Sequence, residues 1–294
     1  MRLNKKTSPV LSDISMIVSN ALAEDIGWGD ITCAAVIDQD VIIQADIFAK
    51  EKNIVVCGLE LIKEVFRQID QKIKVKFNVS EGTYLNAKKL ICTIIGPAGS
   101  ILKGERTALN FLGRLSGIAT KTRKISQLIK KYKAVILDTR KTTPGLRVLE
   151  KYAVKTGGGT NHRFGLFDQV LIKDNHIQIL RNVSGCADLC DMIIQVREKT
   201  AKGVKIEIEV TSLAEFKDAM QGKPDIIMLD NMSIEQMKQA VNLRNKANKQ
   251  ILLEASGNVT EKTIKGIAAC GVDFISLGAL THSVQCVDFS LKAS

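Results

Sequence analysis

Residues 205–230 read KIEIEVTSLAEFKDAMQGKPDIIMLD, two apolar runs on either side of an amphipathic stretch. The runs at 205–210 and 225–230 have the length and composition of β-strands, and the stretch between them has the apolar spacing that is typical of a helix. Strands that alternate with helices in this way lie parallel to each other. This segment therefore predicts an α/β fold.

Four further runs extend the pattern through the second half of the chain. They are AVILD (134–138), QVLIKD (169–174), QILLEAS (250–256) and DFISLG (273–278). The polar or small residues at the ends of the runs are, in chain order, Asp138, Lys173 with Asp174, Glu209, Asp230, Ser256 with Gly257, and Gly278. The carboxyl ends of parallel strands meet at one edge, where α/β barrels and open α/β sheets both bind ligands. Contributions from so many strands favour a closed barrel.

The residues before about 115 follow a different pattern. Helices are predicted at 12–24 and 59–69. Short strands are predicted at IIQADIFA (42–49), NIVVCG (53–58), KIKVKFNV (72–79) and KLICTIIG (89–96). These short elements indicate a compact α/β unit that precedes the barrel.

The composition is that of a globular protein with excess positive charge. Lys and Arg number 42 against 31 Asp and Glu, a net charge of +11. Aromatic residues make up only 4% and no nucleic-acid motif is present, so we interpret the excess as solvated helix faces. No apolar run reaches the roughly 18 residues of a membrane span, and polar residues interrupt the N-terminal segment where a signal core would lie. We therefore expect a cytoplasmic protein that binds neither nucleic acid nor membrane.

The seven cysteines are scattered and form no C-x-x-C pair. An odd, dispersed set does not indicate a disulfide framework. Cys186 and Cys190 are spaced to share a helix face, but no histidine lies near them in sequence, so free thiols are favoured over a zinc site.

The segment 138–176, DTRKTTPGLRVLEKYAVKTGGGTNHRFGLFDQVLIKDNH, is rich in cations. They are Arg140, Lys141, Arg147, Lys151, Lys155, Arg163 and Lys173. Because Thr, Gly, Asn and His surround them, we expect loops rather than a helix face, with the glycines at 157–159 allowing close approach of a ligand. Arg offers a planar fork for carboxylate or phosphate, and Lys a mobile point charge. The segment predicts a site for a ligand with several negative charges.

Two acids stand at strand ends next to this anion site. Glu209 closes KIEIEV and Asp230 closes DIIMLD, where unpaired carboxylates would repel a phosphate. Mg²⁺ binds through one or two carboxylates together with substrate phosphates, so a magnesium site resolves the conflict. The alternative is that both acids pair with Arg or Lys. Glu207 lies on the same side of its strand as Glu209 and is a further candidate.

Motifs along nearly the whole chain resemble those of the quinolinate phosphoribosyltransferase family, the decarboxylating enzymes of NAD biosynthesis. The most specific are DTRKTTPGLR, GGGTNHR and LIKDNH within 138–176. The others, in the order of the family, are EDIGWGDIT (24–32), ERTALNFLGRLSGIAT (105–120), IEIEV (206–210), IIMLDNM (226–232), EASGN (254–258) and ISLGALTHS (275–283). So many motifs in order make a chance match to one pattern an inadequate explanation.

The resemblance implies an incomplete, seven-stranded α/β barrel with an N-terminal open α/β sandwich domain. The barrel domain would cover 115–282, and the sandwich domain 1–114 together with the tail 283–294. The substrates would be quinolinate and phosphoribosyl pyrophosphate, with Mg²⁺ as the cofactor. The family pattern also implies a homodimer with shared active sites, and leaves open whether dimers assemble further into hexamers.

The site residues follow from the resemblance position by position. Arg106, Arg140, His162, Arg163 and Lys173 would surround the two carboxylates of quinolinate, with Arg106 entering from the neighbouring subunit. Lys141 and Lys173 would lie near the ribose and pyrophosphate, and Glu209 and Asp230 would hold the metal. The groups assigned to phosphate are Ser256, Gly257, Gly278 and Ala279, in loops after the last two strands.

Several alternatives remain open at this stage. Nicotinate phosphoribosyltransferase has a related barrel but takes a monocarboxylate, which needs fewer cations. A molybdenum-associated paralogue is closer still, and a basic nucleic-acid-binding protein is the non-enzymatic alternative. Without the resemblance, Arg106 would be interpreted as a solvated helix residue, and His162 as equally suited to a structural role. Many relatives have a second glycine at the position of Asn258, and Asn tolerates the same left-handed backbone.

Overall fold

The computed structural model describes residues 11–184 and 188–293, so Cys186 lies outside the described part. The helices are α1 (Leu11–Ile26), α2 (Ile31–Val36), α3 (Leu59–Ile69), α4 (Ala98–Leu128), α5 (Arg147–Thr156), α6 (Asp174–Ser184), α7 (Leu189–Lys199), α8 (Leu213–Gln221), α9 (Ile234–Ala247), α10 (Ile264–Ala269) and α11 (Ala279–His282). The strands are β1 (Ile42–Ala49), β2 (Ile54–Val55), β3 (Lys74–Phe77), β4 (Tyr84–Leu85), β5 (Lys89–Pro97), β6 (Val135–Leu137), β7 (Val170–Ile172), β8 (Ile206–Val210), β9 (Ile226–Asp230), β10 (Leu252–Ser256), β11 (Phe274–Ser276) and β12 (Phe289–Ala293).

The chain divides into two compact units. Within the described residues, the first unit comprises 11–123, 141–158 and 279–293, and the second unit comprises 124–140, 159–184 and 188–278. Helix α4 runs without a break across the expected domain limit at 114. Residues 115–123 and 141–158, which the sequence assigned to the barrel domain, belong to the first compact unit.

A parallel sheet of six strands forms the centre of the second unit. Its order is β6-β11-β10-β9-β8-β7, and every neighbouring pair is parallel. All six predicted strands are therefore confirmed. The bounds are shorter than the apolar runs in β6, β7 and β11, which have three residues each.

The two faces of this sheet differ in polarity because successive side chains of a strand point to opposite sides. Ile206, Ile208 and Val210 occupy one face of β8 and are fully buried. Glu207 and Glu209 occupy the other face, which we call the polar face. Glu209 is in register with Met228 on β9, and Met228 is in register with Glu254 on β10. The alternation of IEIEV thus separates an apolar face from a face that bears acids.

One residue adds to the sheet beside β6. Thr160 forms an isolated parallel bridge with Leu137. Its N–H donates to the carbonyl of Ile136 at 2.8 Å, and its carbonyl accepts from the N–H of Asp138 at 3.2 Å. These bonds fix the start of the segment that contains His162 and Arg163 against the carboxyl end of β6.

The first unit contains an antiparallel sheet of order β12-β1-β5-β3 and a separate β2-β4 pair. The C-terminal strand pairs with β1, with Ala45 opposite Ala293, as expected from the assignment of the tail to the N-terminal part. Helix α3 buries an apolar stripe that includes Ile62 and Phe66, both fully inaccessible to solvent. Both predicted helices are present, the first with longer bounds than expected.

The expectation of loops throughout the cationic segment is wrong at α5. Residues 147–156 form a helix of ten residues because Leu149, Ala153 and Val154 make a fully buried apolar stripe. The first of the three glycines that follow, Gly157, has a packing role. A Cβ on Gly157 would collide with the carbonyl oxygen of Ala119, so this glycine is explained by helix contact rather than by a ligand.

None of the helices described in residues 11–184 and 188–293 has both the length and the apolar character needed to cross a membrane.

Helix α4 provides a test of the packing in the first unit. The Gly113 carbonyl accepts the N–H of Val287 at 3.0 Å, and a Cβ on Gly113 would lie 2.8 Å from the Val287 carbonyl oxygen. Because the atom that the added Cβ would meet is a backbone oxygen, which cannot swing away as a flexible side chain can, Gly113→Ala should lower the free energy of unfolding by about 1–3 kcal/mol, measured by urea denaturation.

Gly99→Ala on the same helix is the matched control. A Cβ on Gly99 would have the Cβ of Cys33, at 3.9 Å, as its nearest neighbour, so there is room for a methyl group. We expect a change of less than about 1 kcal/mol toward higher stability. Equal effects of the two substitutions would contradict the described contact between α4 and the C-terminal segment.

Candidate active site

The predicted site residues divide between the two units. Arg106, Lys141 and Ala279 belong to the first unit. The second unit contains Arg140, His162, Arg163, Lys173, Glu209, Asp230, Ser256, Gly257 and Gly278. These residues of the second unit lie at or near the carboxyl ends of the parallel strands, as the strand pattern predicts.

Arg163 is the most constrained cation of the second unit. It is only 8% exposed, and its Nη1 donates to the carbonyl of Gln169 at 3.0 Å. Its Nε is buried and has no hydrogen-bond partner within the described residues. Burial lowers the pKa of Arg163, and repulsion by Arg140 lowers it further. Two guanidinium groups near enough to repel, one with an unused buried donor, are suited to bind an anion.

The segment that carries Arg163 is fixed by carboxylates. The N–H of His162 donates to Asp138 Oδ1 at 2.9 Å, and Asp138 is fully buried. Asp168 accepts the N–H groups of Phe164 at 2.6 Å and Gly165 at 2.9 Å. Carboxylates that accept backbone N–H groups in this way define the path of an irregular loop.

Both ring nitrogens of His162 have protein partners. Nδ1 accepts the N–H of Arg163 at 2.7 Å. Nε2 lies 3.2 Å from Glu207 Oε2 and 3.5 Å from Glu254 Oε2. The side chain is 8% exposed, and both glutamate side chains are fully buried. His162 therefore connects the Arg163 loop to the polar face of the sheet.

Lys173 and Glu209 form an ion pair at the ends of neighbouring strands. Their Nζ and Oε2 atoms are 3.3 Å apart, with 45% and 12% of the side chains exposed. The Lys173 N–H donates to His176 Nδ1 at 3.0 Å, which gives His176 the structural role that its place at the start of α6 indicates. The sequence left open whether Glu209 binds a metal ion or pairs with a basic residue, and in the structure Glu209 does pair with a lysine.

The neighbourhood of Glu209 also favours a cation of higher charge. Burial raises the pKa of Glu209, Lys173 opposes this shift, and repulsion by Asp230 adds to it. Asp230 Oδ2 accepts a hydrogen bond from Asn231 Nδ2 at 2.9 Å. Two carboxylates that repel each other at adjacent strand ends are hard oxygen ligands of the kind that Mg²⁺ prefers.

The turn after β10 has the backbone that its sequence predicts. Gly257 has φ +84° and Asn258 has φ +47°, both left-handed, so Asn258 preserves the conformation that a glycine would adopt. Asn258 Nδ2 donates to Asn231 Oδ1 at 3.0 Å, and a Cβ on Gly257 would collide with that oxygen. The next helix begins only at Ile264, so any anion at Ser256 would meet loop amides rather than a helix terminus.

The loop of the first unit that contains Lys141 is held by a buried ion pair. Glu150 is fully buried, and its Oε1 lies 2.7 Å from Arg114 Nη2. Glu150 also accepts the Thr143 hydroxyl at 2.8 Å and the Thr143 N–H at 3.2 Å. The Lys141 carbonyl accepts the Thr281 hydroxyl at 2.7 Å, so the short helix that begins at Ala279 also fixes this loop.

Arg106 projects from α4 and is exposed. Within residues 11–184 and 188–293 no hydrogen bond or ion pair of its side chain is present. Its position in the first unit agrees with the sequence order, in which Arg106 precedes the barrel segment.

Sequence reasoning missed two buried acids, Glu254 and Glu150. Glu254 is the first residue of the EASGN motif and was given no role there, although an acid inside the apolar body of QILLEAS is a usable signal. Glu150 gives a weaker signal because an acid is ordinary in the first turn of a helix. Gln169 was also missed, and its Nε2 donates to Glu207 Oε2 at 2.6 Å.

Comparison with known proteins identifies the family. Models of the N-terminal and C-terminal domains of quinolinate phosphoribosyl transferase match residues 30–116 and 118–292. A chloroplastic nicotinate-nucleotide pyrophosphorylase [carboxylating] of Oryza sativa is 41% identical, over 95% of this chain and 77% of its own length. A probable enzyme of the same name from Bacillus subtilis is 38% identical, over 96% and 93%.

A solved structure agrees with the sequence relatives. The nicotinate-nucleotide pyrophosphorylase of Francisella tularensis superimposes with a TM-score of 0.90 at 38% identity, covering 100% of both chains. Domain models, sequence relatives and fold thus agree over nearly the full length. The chain belongs to the quinolinate phosphoribosyl transferase family.

Proposed function

We propose that this chain transfers the phosphoribosyl group of phosphoribosyl pyrophosphate to the ring nitrogen of quinolinate and releases the 2-carboxylate as carbon dioxide. The products are nicotinate mononucleotide, pyrophosphate and carbon dioxide, and the reaction belongs to NAD biosynthesis. Membership of the family supports the proposal. Within the chain, the observation that carries it is the pair of repelling guanidinium groups of Arg140 and Arg163.

Recognition of the dicarboxylate follows from this pair. Quinolinate has carboxylates on adjacent ring carbons, and two carboxylates require two sets of donors. Arg163 offers its unused buried Nε, and Arg140 a second fork. A bound dianion relieves the repulsion between the two guanidinium groups, so substrate binding and charge compensation are one event. Lys173 contributes a third positive charge at the same sheet edge.

Positioning is the main contribution of the protein to the transfer step. Holding quinolinate by its carboxylates leaves the ring nitrogen directed at the anomeric carbon of the donor. By resemblance to the family, Lys141 and Lys173 stabilise the charge that develops on the departing pyrophosphate. Loss of the 2-carboxylate as carbon dioxide is favoured afterwards because the electron pair left on the ring carbon lies next to the positively charged ring nitrogen. That carbon then takes up a proton from solvent, which completes nicotinate mononucleotide.

A magnesium ion fits the two acids at the sheet edge. Repulsion between Asp230 and Glu209 contributes to the raised pKa of Glu209, and a divalent cation would remove it. We assign Glu209 and Asp230 as its ligands. When bound, Mg²⁺ neutralises charge on the phosphates of the donor. Ser256, Gly257, Gly278 and Ala279 are assigned to the phosphate by their places after the last two strands.

The sheet of the second unit is interpreted as a seven-stranded barrel. The sheet has six regular strands. The isolated bridge that Thr160 forms beside β6 is the candidate for the seventh strand of the barrel. Thr160 lies on the outer side of the edge strand β6, where a further strand must enter to close the sheet. A cytoplasmic location stays a prediction from the sequence.

A homodimer with shared sites is the proposed assembly. Each unit exposes large apolar side chains of the kind that subunit interfaces cover, Trp28 and Ile31 in the first and Leu166 and Phe167 in the second. Arg106 is exposed on α4, and by resemblance to the family it enters the site of the neighbouring subunit.

The reaction itself is tested by substrate choice. Purified protein is incubated with phosphoribosyl pyrophosphate, Mg²⁺ and either quinolinate or nicotinate, and mononucleotide and carbon dioxide are measured. We expect turnover of quinolinate with one carbon dioxide per mononucleotide, and little turnover of nicotinate. Equal use of nicotinate would identify a nicotinate phosphoribosyltransferase. Turnover of neither acid would contradict the proposal and favour the molybdenum-associated paralogue or the basic binding protein.

Metal dependence is tested by chelation and by Asp230→Asn. Activity should vanish in excess chelator and return with Mg²⁺, and Asp230→Asn should lower kcat more than it raises KM for quinolinate because Asp230 serves the donor. Glu261→Gln is the control, since Glu261 forms an exposed ion pair with Lys124 in the same unit. Full activity without a divalent cation, or a defect limited to quinolinate affinity, would overturn the assignment.

The shared site is tested by mixing Arg106→Ala with Arg140→Ala protein, each inactive alone, under conditions that exchange subunits. A mixed dimer then has one site with both wild-type arginines, so activity should return. Circular dichroism confirms that each variant is folded. If mixed dimers form and stay inactive, Arg106 acts within its own chain or only in structure.

A further inference from the structure

A buried group of three titratable side chains lies on the polar face of the sheet. It consists of His162, Glu207 and Glu254, whose ligand-capable atoms all lie within 4.8 Å of one another. We call it the acid–imidazole cluster. The two glutamates are fully buried on β8 and β10, the strands that flank β9. Two buried carboxylates so close together need a compensating charge.

The hydrogen bonds of His162 define its protonation. The Arg163 N–H is a donor and lies 2.7 Å from Nδ1, so Nδ1 must accept and carries no proton. The ring proton is then on Nε2, which faces Glu207 at 3.2 Å and Glu254 at 3.5 Å. The imidazole is therefore the neutral Nε2–H tautomer and supplies a donor, not a positive charge.

A metal ion does not suit this cluster. A cation bound at Nε2 would displace the ring proton to Nδ1, where the Arg163 N–H already points. If Nδ1 continued to accept the Arg163 N–H while a cation occupied Nε2, the ring would carry no proton at all, which is unfavourable for imidazole at neutral pH. The compensation must come from a proton on one of the acids.

Glu254 is the acid that takes this proton. Both of its carboxylate oxygens lack a hydrogen-bond partner within the described residues, as does Ser276 Oγ on the adjacent strand β11. Glu207, in contrast, has one satisfied oxygen: its Oε2 accepts from Gln169 Nε2 at 2.6 Å, whereas its Oε1 has no partner within the described residues. Burial raises the pKa of Glu254 to about 8, and the Glu207 carboxylate adds to the shift. The unsatisfied oxygens of Glu254 and the upward direction of its pKa shift thus both favour the protonated acid, which has a proton to donate.

The cluster is connected to the anion site through the loop of Arg163. The backbone N–H of Arg163 binds the His162 ring, and Arg163 Nη1 binds the Gln169 carbonyl at 3.0 Å. Gln169 in turn donates to Glu207. A change in the cluster is therefore transmitted to both ends of the loop that places the guanidinium group.

We propose that Glu254 is a positioning residue that, as a neutral acid, donates a hydrogen bond to Glu207 and thereby fixes His162 and the orientation of the Arg163 guanidinium. This inference rests on the proposed function. It assigns His162 to the same positioning role, because both of its nitrogens are engaged by the protein. The titratable groups that face Glu254 are Glu207 and His162, and Ser276 is its neutral polar neighbour.

Three variants test the proposal by steady-state kinetics. Glu254→Gln retains a neutral donor of the same shape, and should keep KM for quinolinate within about threefold of wild type. Glu254→Ala should raise KM for quinolinate by about tenfold or more, with KM for phosphoribosyl pyrophosphate nearly unchanged. Leu253→Ala, on the apolar face of the same strand, should lower stability without this selective effect. Equal defects in Gln and Ala, or a defect shared with Leu253→Ala, would overturn the proposal.

Nuclear magnetic resonance of ¹⁵N-labelled histidine gives a readout independent of activity. His162, assigned by its loss in His162→Gln, should be the Nε2–H tautomer in wild type and in Glu254→Gln. A charged imidazolium, an Nδ1–H tautomer, or a stoichiometric metal that Glu254→Gln removes from the purified protein would overturn the proposal. If wild type fails to use quinolinate but the tautomer is found, the proposed function fails while the cluster stands.

Unfolding as a function of pH provides the thermodynamic check. The native protein holds a proton on Glu254 up to about pH 8, whereas the unfolded chain releases it near the ordinary glutamate pKa of 4.5. The stability of wild type relative to Glu254→Gln should therefore fall as pH rises through this window. A pH-independent difference, or one that rises with pH, would mean that Glu254 is charged in the native state and would overturn the proposal.

Discussion

Burial of Glu207 and Glu254 on the polar face of the parallel sheet is the constraint on which the site geometry depends. Strand alternation puts acids on that face, while Ile206, Ile208 and their neighbours cover the other. An uncompensated buried carboxylate costs several kcal/mol, so the loop between α5 and β7 must supply donors. His162 and Gln169 do this, and the compensation fixes the position of Arg163.

Charge compensation also distinguishes the interior of the sheet from the edge at which a ligand would bind. Below the sheet edge, protons and neutral donors compensate the acids. At the edge, Lys173 pairs with Glu209, and Arg140 and Arg163 repel each other. The interior is thus balanced by groups of the protein itself, whereas the edge holds two repulsions, one between Arg140 and Arg163 and one between Glu209 and Asp230. An anionic substrate and a divalent cation satisfy these two imbalances together.

The sequence predicted the six strands and their polar ends, because strand period and strand–helix alternation are local properties. It failed at α5, where Leu149, Ala153 and Val154 form a stripe that the surrounding cations obscured. It also gave no role to Glu254, since the compensation of a buried acid depends on partners distant in the chain, here His162. The Thr160 bridge is a single contact and leaves no periodic signal.

The central claim is that the paired arginines recognise two carboxylates. Calorimetric titration of the wild-type protein with quinolinate, nicotinate and picolinate tests it most directly, because the last two each lack one carboxylate. We predict that quinolinate binds at least about tenfold more tightly than either monocarboxylate, as expected for loss of one charged hydrogen-bonded contact. Equal affinity for quinolinate and either monocarboxylate would contradict it.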